Sequence, residues 1–188
     1  YLLVTLDAAS QDDLDTMLEQ MAELVLDAGA MDVLVADTPA KIKDAWAARS
    51  SFLEAIMHET KLLDECDVVV PVNKIADYLD FVNKTGEDCG LVIKSFGHAG
   101  DGNLHIYQCS NDLEEEEFKS RVDKFFEIIY KEATNCGGLV SGEHGIGSGK
   151  IKYLVDSVGE TNMALMEGIK RVFDPKMILN PGKVCYRL

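Results

Sequence analysis

Two strand-like segments on either side of a glycine-rich turn constrain the fold of this chain more than any other feature. The segments are residues 91–96 and 103–109, and both are rich in apolar side chains. The turn between them contains Gly97, Gly100 and Gly102. Glycine reaches backbone conformations with positive φ at little cost, as tight chain reversals often require. The pattern therefore predicts that the two segments pair as an antiparallel hairpin.

Three further segments have the apolar, partly β-branched composition of strands, namely 1–7, 31–36 and 66–71. Amphipathic stretches between the strands predict helices, including one from Pro39 to Thr60 and two over 151–157 and 160–173. Four polar residues are predicted to cap helices: Ser10, Thr38, Asn73 and Asn111. Together these elements predict an α+β fold. An antiparallel sheet would be covered by helices on one face in a ferredoxin-like arrangement, and a C-terminal helical tail would follow.

The predicted hairpin brings histidines together. His98 ends its first strand, and His105 lies two residues inside the second, so both imidazoles can approach one point. Strand alternation assigns Asn103, His105 and Tyr107 to one face and Leu104 and Ile106 to the other. We therefore expect a polar stripe on one side of the sheet and a core stripe on the opposite side.

A second glycine-rich stretch, residues 141–150, contains Glu143 followed by His144. Two imidazoles and one carboxylate can bind a divalent metal and leave a coordination position open for a substrate. His98, His105 and Glu143 are the candidate ligands. His144 would then serve as a general base, since an imidazole exchanges protons near neutral pH.

Simpler interpretations of these residues stay open. A glycine-rich turn is often only a turn, and either histidine of the hairpin alone could be a structural residue with satisfied hydrogen bonds. Arg49, on a helix with Trp46 and Phe52, is either a surface arginine or a clamp for a substrate carboxylate, for which a planar guanidinium is well shaped.

The charge of the chain excludes some partners. The sequence has 33 acidic and 18 basic residues and a net charge of −15. Proteins bind nucleic acids and anionic membrane surfaces through Lys and Arg. Because acidic residues outnumber these here, we expect the chain to bind neither. An anionic substrate would need a local basic group in order to bind.

The five cysteines form no CxxC pair, which favours a reduced, intracellular protein over a disulfide scaffold. No apolar run reaches the roughly 18 residues of a transmembrane helix, and no signal peptide is visible. We predict a cytoplasmic protein, with any membrane association made through a partner. Because the chain starts at Tyr1 inside a predicted strand, we expect it to be part of a longer polypeptide.

Three sequence motifs carry a resemblance to a known family. They are FGHAGDGNLH at 96–105, SGEHGIG at 141–147 and FDPKMILNPGK at 173–183. In this order they resemble the C-terminal region of FAD-linked oxidases of the vanillyl-alcohol oxidase superfamily. The relatives in question are D-lactate dehydrogenases, glycolate oxidase large subunits and D-2-hydroxyglutarate dehydrogenases. The resemblance covers nearly the whole chain.

The resemblance implies how the chain is organised. Residues 1–140 would form the cap, or substrate, domain. Residues 141–188 would form an active-site loop and a helical segment that packs on an FAD-binding domain, which would precede this region in the same polypeptide. We predict that the 188 residues alone are inactive, because they offer no place to hold FAD.

The resemblance also implies roles for individual residues. His98, His105 and Glu143 would hold zinc, iron or manganese beside the flavin, and His144 would take the hydroxyl proton of a 2-hydroxy acid while hydride leaves to FAD. Arg49 would bind the substrate carboxylate, and Tyr107 would contact the substrate. Asn180 and Lys183 would lie in the tail that approaches the flavin domain. A quinone, an electron-transfer flavoprotein or an iron–sulfur subunit could accept the electrons.

The sequence departs from the 2-hydroxyglutarate branch at Leu53, Glu65 and Tyr107, where that branch has polar residues that help to hold a second carboxylate. A short substrate such as D-lactate or glycolate is therefore favoured. Two other functions use the same residues. One is a metal-dependent hydrolase, and the other is a module that binds a small carboxylate without chemistry.

Overall fold

The computed structural model describes residues 1–185. The chain divides into two compact units, of which the first is Tyr1–Phe52 and the second begins at Leu53. The first contains helices α1 (Gln11–Asp27) and α2 (Pro39–Ser50), and helix α3 (Phe52–Glu59) follows. The sequence predicts a division between a cap domain, residues 1–140, and a C-terminal segment, residues 141–188. That boundary differs from the one at Phe52 and stays a prediction.

The two helices of the first unit begin where the sequence predicts. The Ser10 side chain accepts a hydrogen bond from the backbone N–H of Asp13 at 3.2 Å, and Thr38 accepts one from Lys41 at 3.3 Å. Each bond satisfies a backbone donor that has no partner within the helix. The single helix expected from Pro39 to Thr60 is interrupted at Ser51, whose hydroxyl donates to the carbonyl of Ala47. Such a side-chain bond competes with helix continuation.

The strands predicted at 1–7 and 31–36 are wrong. Among the described residues, strand ladders join only three other segments. Leu2 and Leu34 remain exposed. An apolar, β-branched composition favours a strand only where a neighbouring strand completes the hydrogen bonds and buries the side chains. Within its own unit, neither segment has such a neighbour.

The second unit contains a three-stranded antiparallel sheet of order β1-β3-β2. Its strands are β1 (Leu62–Val69), β2 (Val92–His98) and β3 (Asn103–Ser110). The predicted hairpin is confirmed as the pair β2–β3, in which Phe96 lies opposite His105. Gly102, with φ of 80°, ends the turn against β1, and a Cβ there would lie 1.9 Å from the carbonyl oxygen of Val70. A glycine is therefore required at this close approach.

Helices α4 (Ile75–Cys89), α5 (Glu115–Asn135) and α6 (Ile151–Phe173) supply most of the core against one face of the sheet. The buried apolar residues of α5 recur every three or four positions and so lie on one face of the helix. They include Phe118, Val122, Phe125 and Ile129. They pack with Leu104 and Ile106 of β3 in one buried cluster. The predicted α+β fold, with an antiparallel sheet and covering helices, is confirmed.

Two predicted caps are wrong because their residues do something else. Asn73 lies in a short 3-10 helix (Val72–Lys74) that leads into α4, where no side chain caps the first turn. Asn111 instead binds the backbone of Lys61 at 2.7 Å and of Glu59 at 3.1 Å. Its amide thus links the end of β3 to the start of β1, a contact that local sequence does not reveal.

The last helical region is divided as predicted. Gly159 inside α6 has φ of 75° and ψ of 165°, which is far from helical geometry and separates two helical segments. None of the helices in residues 1–185 has the length and apolar character to cross a membrane.

Candidate functional site

The site lies on the face of the sheet that points away from the core. Along β3, Leu104 and Ile106 face the helices, whereas Asn103, His105 and Tyr107 belong to the opposite face, as the alternation predicts. Ile56 of α3 packs with Tyr107 and Cys109 over one part of this opposite face. The polar groups cluster at the other end, around His105.

The two histidines of the hairpin meet the carboxylate of the second glycine-rich loop. The rings of His98 and His105 are 5.9 Å apart between centroids. Glu143 Oε1 lies 3.0 Å from His105 Nε2 and 3.9 Å from His98 Nε2. One ligand atom from each of the three residues lies within 4.8 Å of the other two. The His105 side chain is only 6% exposed, whereas those of His98 and Glu143 are about half exposed.

His144 lies beside this trio. Its ring stacks on that of His105, with centroids 4.8 Å apart and an interplanar angle of 26°. Its Nδ1 is 3.2 Å from Glu65 Oε1, and the same oxygen is 3.5 Å from His105 Nδ1. Glu65, His105 and His144 thus form a second set of groups within 4.8 Å of one another. The structure brings together the four groups predicted at one point and adds Glu65 to them.

A buried carboxylate of β1 holds the loop that carries Glu143 and His144. Asp67 is 0% exposed, and its Oδ2 accepts four hydrogen bonds from the loop. The donors and distances are Ser141 Oγ at 2.8 Å, Gly142 N at 3.0 Å, Glu143 N at 3.1 Å and His144 N at 2.9 Å. Because three successive backbone N–H groups point at one oxygen, the loop has a defined direction relative to the sheet.

The same hydrogen bonds keep Asp67 ionised. Burial alone would raise the pKa of its carboxyl group, but the N–H of His144, the hydroxyl of Ser141 and the charge of Lys150 lower it. The net effect places the pKa of Asp67 below its ordinary value of 3.8. Lys150 Nζ lies 3.9 Å from Asp67 Oδ2 and donates to the Asp67 carbonyl oxygen at 3.3 Å. The buried negative charge is therefore paired.

Close packing brings the loop against the hairpin. A Cβ on Gly142 would lie 2.4 Å from Oδ1 of Asn103, which faces His98 across the β2–β3 ladder. Any larger residue at position 142 would displace the loop or the asparagine. Glycine at this position therefore allows Glu143 to reach the two hairpin histidines.

The residues at this point fit a divalent cation. Two imidazole nitrogens and a carboxylate oxygen are suitable ligands for zinc, iron and manganese. Two ligand atoms each about 2.1 Å from one ion lie at most about 4.2 Å apart. The distances from Glu143 Oε1 to the two imidazoles, 3.0 and 3.9 Å, are within that limit. In addition, His105 Nδ1 and Glu65 Oε1 are buried atoms without a hydrogen-bond partner among the described residues.

The sequence also predicts site roles for Tyr107, Arg49 and Asn180. Tyr107 is 3% exposed and stacks on Phe96 at 5.2 Å, in the apolar cluster beside His105. Arg49 lies in the last turn of α2, in the first unit. Asn180 is exposed in the tail, where it accepts a hydrogen bond from Lys183 at 3.3 Å.

The tail that carries Asn180 is held in place at both ends. Asp174 accepts hydrogen bonds from the N–H groups of Ile178 and Leu179. Farther along, the N–H of Val184 donates to the carbonyl of Gly147 at 2.7 Å. The second contact joins the tail to the loop that follows His144.

Two acidic residues of β1 join the site, and the sequence did not assign them these contacts. Glu65 and Asp67 are two positions apart, so strand alternation places them on one face. They flank Cys66, which packs in the core. Two acidic residues on one face of a strand, on either side of the buried Cys66, are the signal that could have identified them. Their partners, the loop and the hairpin, are distant in sequence.

Comparison with known proteins identifies the family to which the chain belongs. The family model "FAD linked oxidases, C-terminal domain" matches residues 1–184. A D-lactate dehydrogenase of Anaerostipes hadrus is 60% identical over 188 residues, which is 100% of this chain and 40% of the relative. Glycolate oxidase subunit GlcD of Bacillus subtilis (strain 168) is 34% identical over 169 residues, which is 89% of this chain and 35% of the relative.

A D-lactate dehydrogenase of Archaeoglobus fulgidus is 37% identical over 171 residues, covering 90% of this chain and 37% of the relative. The chain therefore spans well under half the length of these curated relatives. Since the family model matches almost every residue, the chain belongs to the family of FAD linked oxidases, C-terminal domain.

Proposed function

We propose that this chain is the substrate-domain portion of an FAD-dependent 2-hydroxy acid dehydrogenase or oxidase of the D-lactate or glycolate type. The observation that carries the proposal is the convergence of His98, His105 and Glu143, with His144 stacked on His105. Family membership and the D-lactate dehydrogenase relative support the same reaction class.

In this proposal His98, His105 and Glu143 hold a divalent cation, either zinc, iron or manganese. His105 is fixed by burial in the sheet, whereas His98 and Glu143 are half exposed at the edge of the site. Three protein ligands leave at least one coordination position for the hydroxyl group of a substrate. When bound, the cation polarises that hydroxyl and FAD supplies the electron acceptor.

His144 accepts the hydroxyl proton in this proposal. It is close enough to the ligand trio to reach a group held there, since its ring lies 4.8 Å from that of His105. Removal of the proton raises the electron density on the substrate oxygen and so favours departure of hydrogen from the same carbon as hydride. The buried carboxylate of Asp67 keeps the His144 backbone at this position.

Arg49 is proposed to bind the substrate carboxylate, Tyr107 to limit the substrate site, and Asn180 to approach the flavin. A guanidinium binds a carboxylate through two parallel hydrogen bonds. A chain of net charge −15 needs such a local cation if its substrate is an anion.

Glu65 beside His144 opposes a second substrate carboxylate by like-charge repulsion, which favours a short monocarboxylate.

The proposal requires a flavin-binding domain in addition to this chain. An FAD domain of the same polypeptide would supply it, and an electron-transfer flavoprotein or iron–sulfur subunit could receive the electrons. We therefore expect the 188 residues alone to reduce no dye.

The experiment joins the chain to an FAD-binding domain, in cis or in trans, and measures dye reduction with D-lactate and with glycolate. We expect reduction with the original sequence and loss of at least about 100-fold in His144→Ala, the usual contribution of a general base. His58→Ala is the matched control, because His58 is an exposed histidine of α3. Full activity in His144→Ala would contradict the role of His144, and ester hydrolysis with metal but without flavin would contradict the reaction class.

A further inference from the structure

We propose that Glu65 is a positioning residue for two histidines at once. Its Oε1 accepts the Nδ1 proton of His105 and the Nδ1 proton of His144, which leaves Nε2 of each ring without a proton. Nε2 of His105 is then free for the cation, and Nε2 of His144 is free for the substrate proton. This inference rests on the proposed function and assigns a role to a residue outside the proposed ligands and base.

The geometry around Glu65 carries the inference. Glu65 Oε1 lies 3.2 Å from His144 Nδ1 and 3.5 Å from His105 Nδ1, and the two rings stack on each other. A carboxylate oxygen has two lone pairs and can accept both protons. The carboxylate therefore faces the same nitrogen of each ring.

Burial favours this arrangement. His105 Nδ1 and Glu65 Oε1 are both buried without a hydrogen-bond partner among the described residues. A buried polar atom without a partner costs about 1–3 kcal/mol. A proton placed on His105 Nδ1 and shared with Glu65 would remove both deficits.

The chemistry of imidazole then fixes the opposite nitrogen. A neutral imidazole carries one proton, on Nδ1 or on Nε2. His105 Nε2 points at Glu143, 3.0 Å away, on the side of the ligand trio. If Nε2 gives its lone pair to a cation, the proton must lie on Nδ1, and Glu65 is there to accept it. Histidines that bind metals usually donate their other N–H to a carboxylate, a carbonyl or water in this way.

The same oxygen links the ligand and the base. Because both rings contact Glu65 through Nδ1, a change in the position of Glu65 would move His105 and His144 together. The alternative is that Glu65 itself coordinates a cation with these two rings, since the three groups lie within 4.8 Å of one another. Positioning and coordination predict different losses when the carboxylate is removed, so an experiment can separate them.

The test uses the 188-residue chain and needs no flavin. Glu65→Gln keeps the side-chain shape, and Glu65→Ala removes the acceptor. Asp64→Asn is the matched control, because Asp64 is the exposed acidic neighbour on the same strand. The affinity for Zn²⁺ is measured by calorimetry with a competing chelator. The protonated nitrogen of each histidine is read from the ¹⁵N NMR spectrum at about pH 8, which is above the ordinary histidine pKa of about 6.5.

We expect both Glu65 variants to bind Zn²⁺ about 10–100-fold more weakly, as is usual when a partner of a metal-bound histidine is lost. We also expect His144 to carry its proton on Nδ1 in the original chain and to shift toward Nε2 in Glu65→Ala. Asp64→Asn should change neither quantity. The NMR result separates positioning from a general loss of stability, because destabilisation alone does not select one ring nitrogen.

Unchanged Zn²⁺ affinity and an unchanged His144 proton position in both variants would overturn the inference. A loss far beyond about 100-fold would overturn it as well, because it would place Glu65 among the ligands. His98→Ala separates this inference from the proposed function. If His98→Ala leaves Zn²⁺ binding intact, the proposed ligand set fails. If it weakens binding while the Glu65 variants do not, only the role of Glu65 fails.

Discussion

Asp67 accepts the backbone N–H of His144 at 2.9 Å, across 77 positions of the chain. This bond joins a strand of the sheet to the loop on which the proposed base lies. The carboxylate is fully buried and receives two more backbone N–H groups, from Gly142 and Glu143. The site therefore depends on a buried residue that holds its loop through three backbone N–H groups and the hydroxyl of Ser141.

Replacement of Asp67 by asparagine should loosen this loop. The variant removes the buried charge. Its side chain has one oxygen, whereas the carboxylate of the original chain has two oxygens to accept hydrogen bonds from the loop. We expect the free energy of unfolding to fall by about 3 kcal/mol, since hydrogen bonds to charged groups and buried unpaired donors have this magnitude. Urea denaturation measures the change, with Asp64→Asn as the exposed control on the same strand. Equal stability of Asp67→Asn and the original chain would show that the carboxylate does not hold the loop.

A steric change should disturb the same loop without altering charge. Gly142→Ala places a Cβ 2.4 Å from Asn103 Oδ1, whereas a Cβ on Gly149, in the same glycine-rich stretch, meets nothing within 4 Å. We expect Gly142→Ala to lower both stability and Zn²⁺ affinity, because overpacking of this kind costs about 1–3 kcal/mol. Gly149→Ala should bind Zn²⁺ normally. Calorimetry on the two variants decides the matter, and equal affinities would argue against close packing at Gly142.

Zn²⁺ should stabilise the chain through the three proposed ligands. A ligand present at 100 times its Kd adds about 2.7 kcal/mol to the free energy of unfolding. We expect thermal denaturation to show a higher Tm with Zn²⁺, and a much smaller increase in His105→Ala and Glu143→Ala. Addition of a chelator should reverse the effect. The account fails here if His58→Ala, a change at an exposed histidine of α3, reduces the increase as much as the ligand variants do.

Acid should release the tail through Asp174. The pKa of Asp174 lies below its ordinary value of 3.8. The hydrogen bond from the Leu179 N–H lowers it by more than burial raises it, and the hydrogen bonds from Lys170 and Ile178 lower it further. A lowered folded-state pKa contributes stability that is present above pH 3.8 and lost as the pH falls through the folded pKa. The protection factor of the Leu179 amide, which is the exchange rate of an unstructured amide at the same pH divided by its own rate, should therefore be high at neutral pH and fall below pH 3.8. In Asp174→Asn the exchange should be fast throughout, and equal protection in both chains would contradict this role.

The local part of the structure could be read from the sequence. The hairpin β2–β3 follows from its glycine-rich turn, and the division of β3 into a core side and a polar side follows from alternation. The caps at Ser10 and Thr38 are local as well. These features depend on residues within a few positions of one another, so sequence patterns determine them.

The rest depends on contacts that are distant in sequence. Asp67 and Glu65 gain their roles only when β1 pairs with β3 and the loop folds over them. Asn111 resembles a cap but binds the backbone 50 positions away. Segments 1–7 and 31–36 resemble strands but have no partner strand among the described residues. Pairing decides such cases, and pairing is not a local property.

The most direct test of the whole account is a crystal structure of the chain grown with Zn²⁺, with the ion located by anomalous scattering. The account predicts one ion about 2.0–2.2 Å from Nε2 of His98, Nε2 of His105 and a carboxylate oxygen of Glu143, with His144 beside it and not bound to it. An ion bound elsewhere, or these side chains pointing apart in the presence of Zn²⁺, would contradict it.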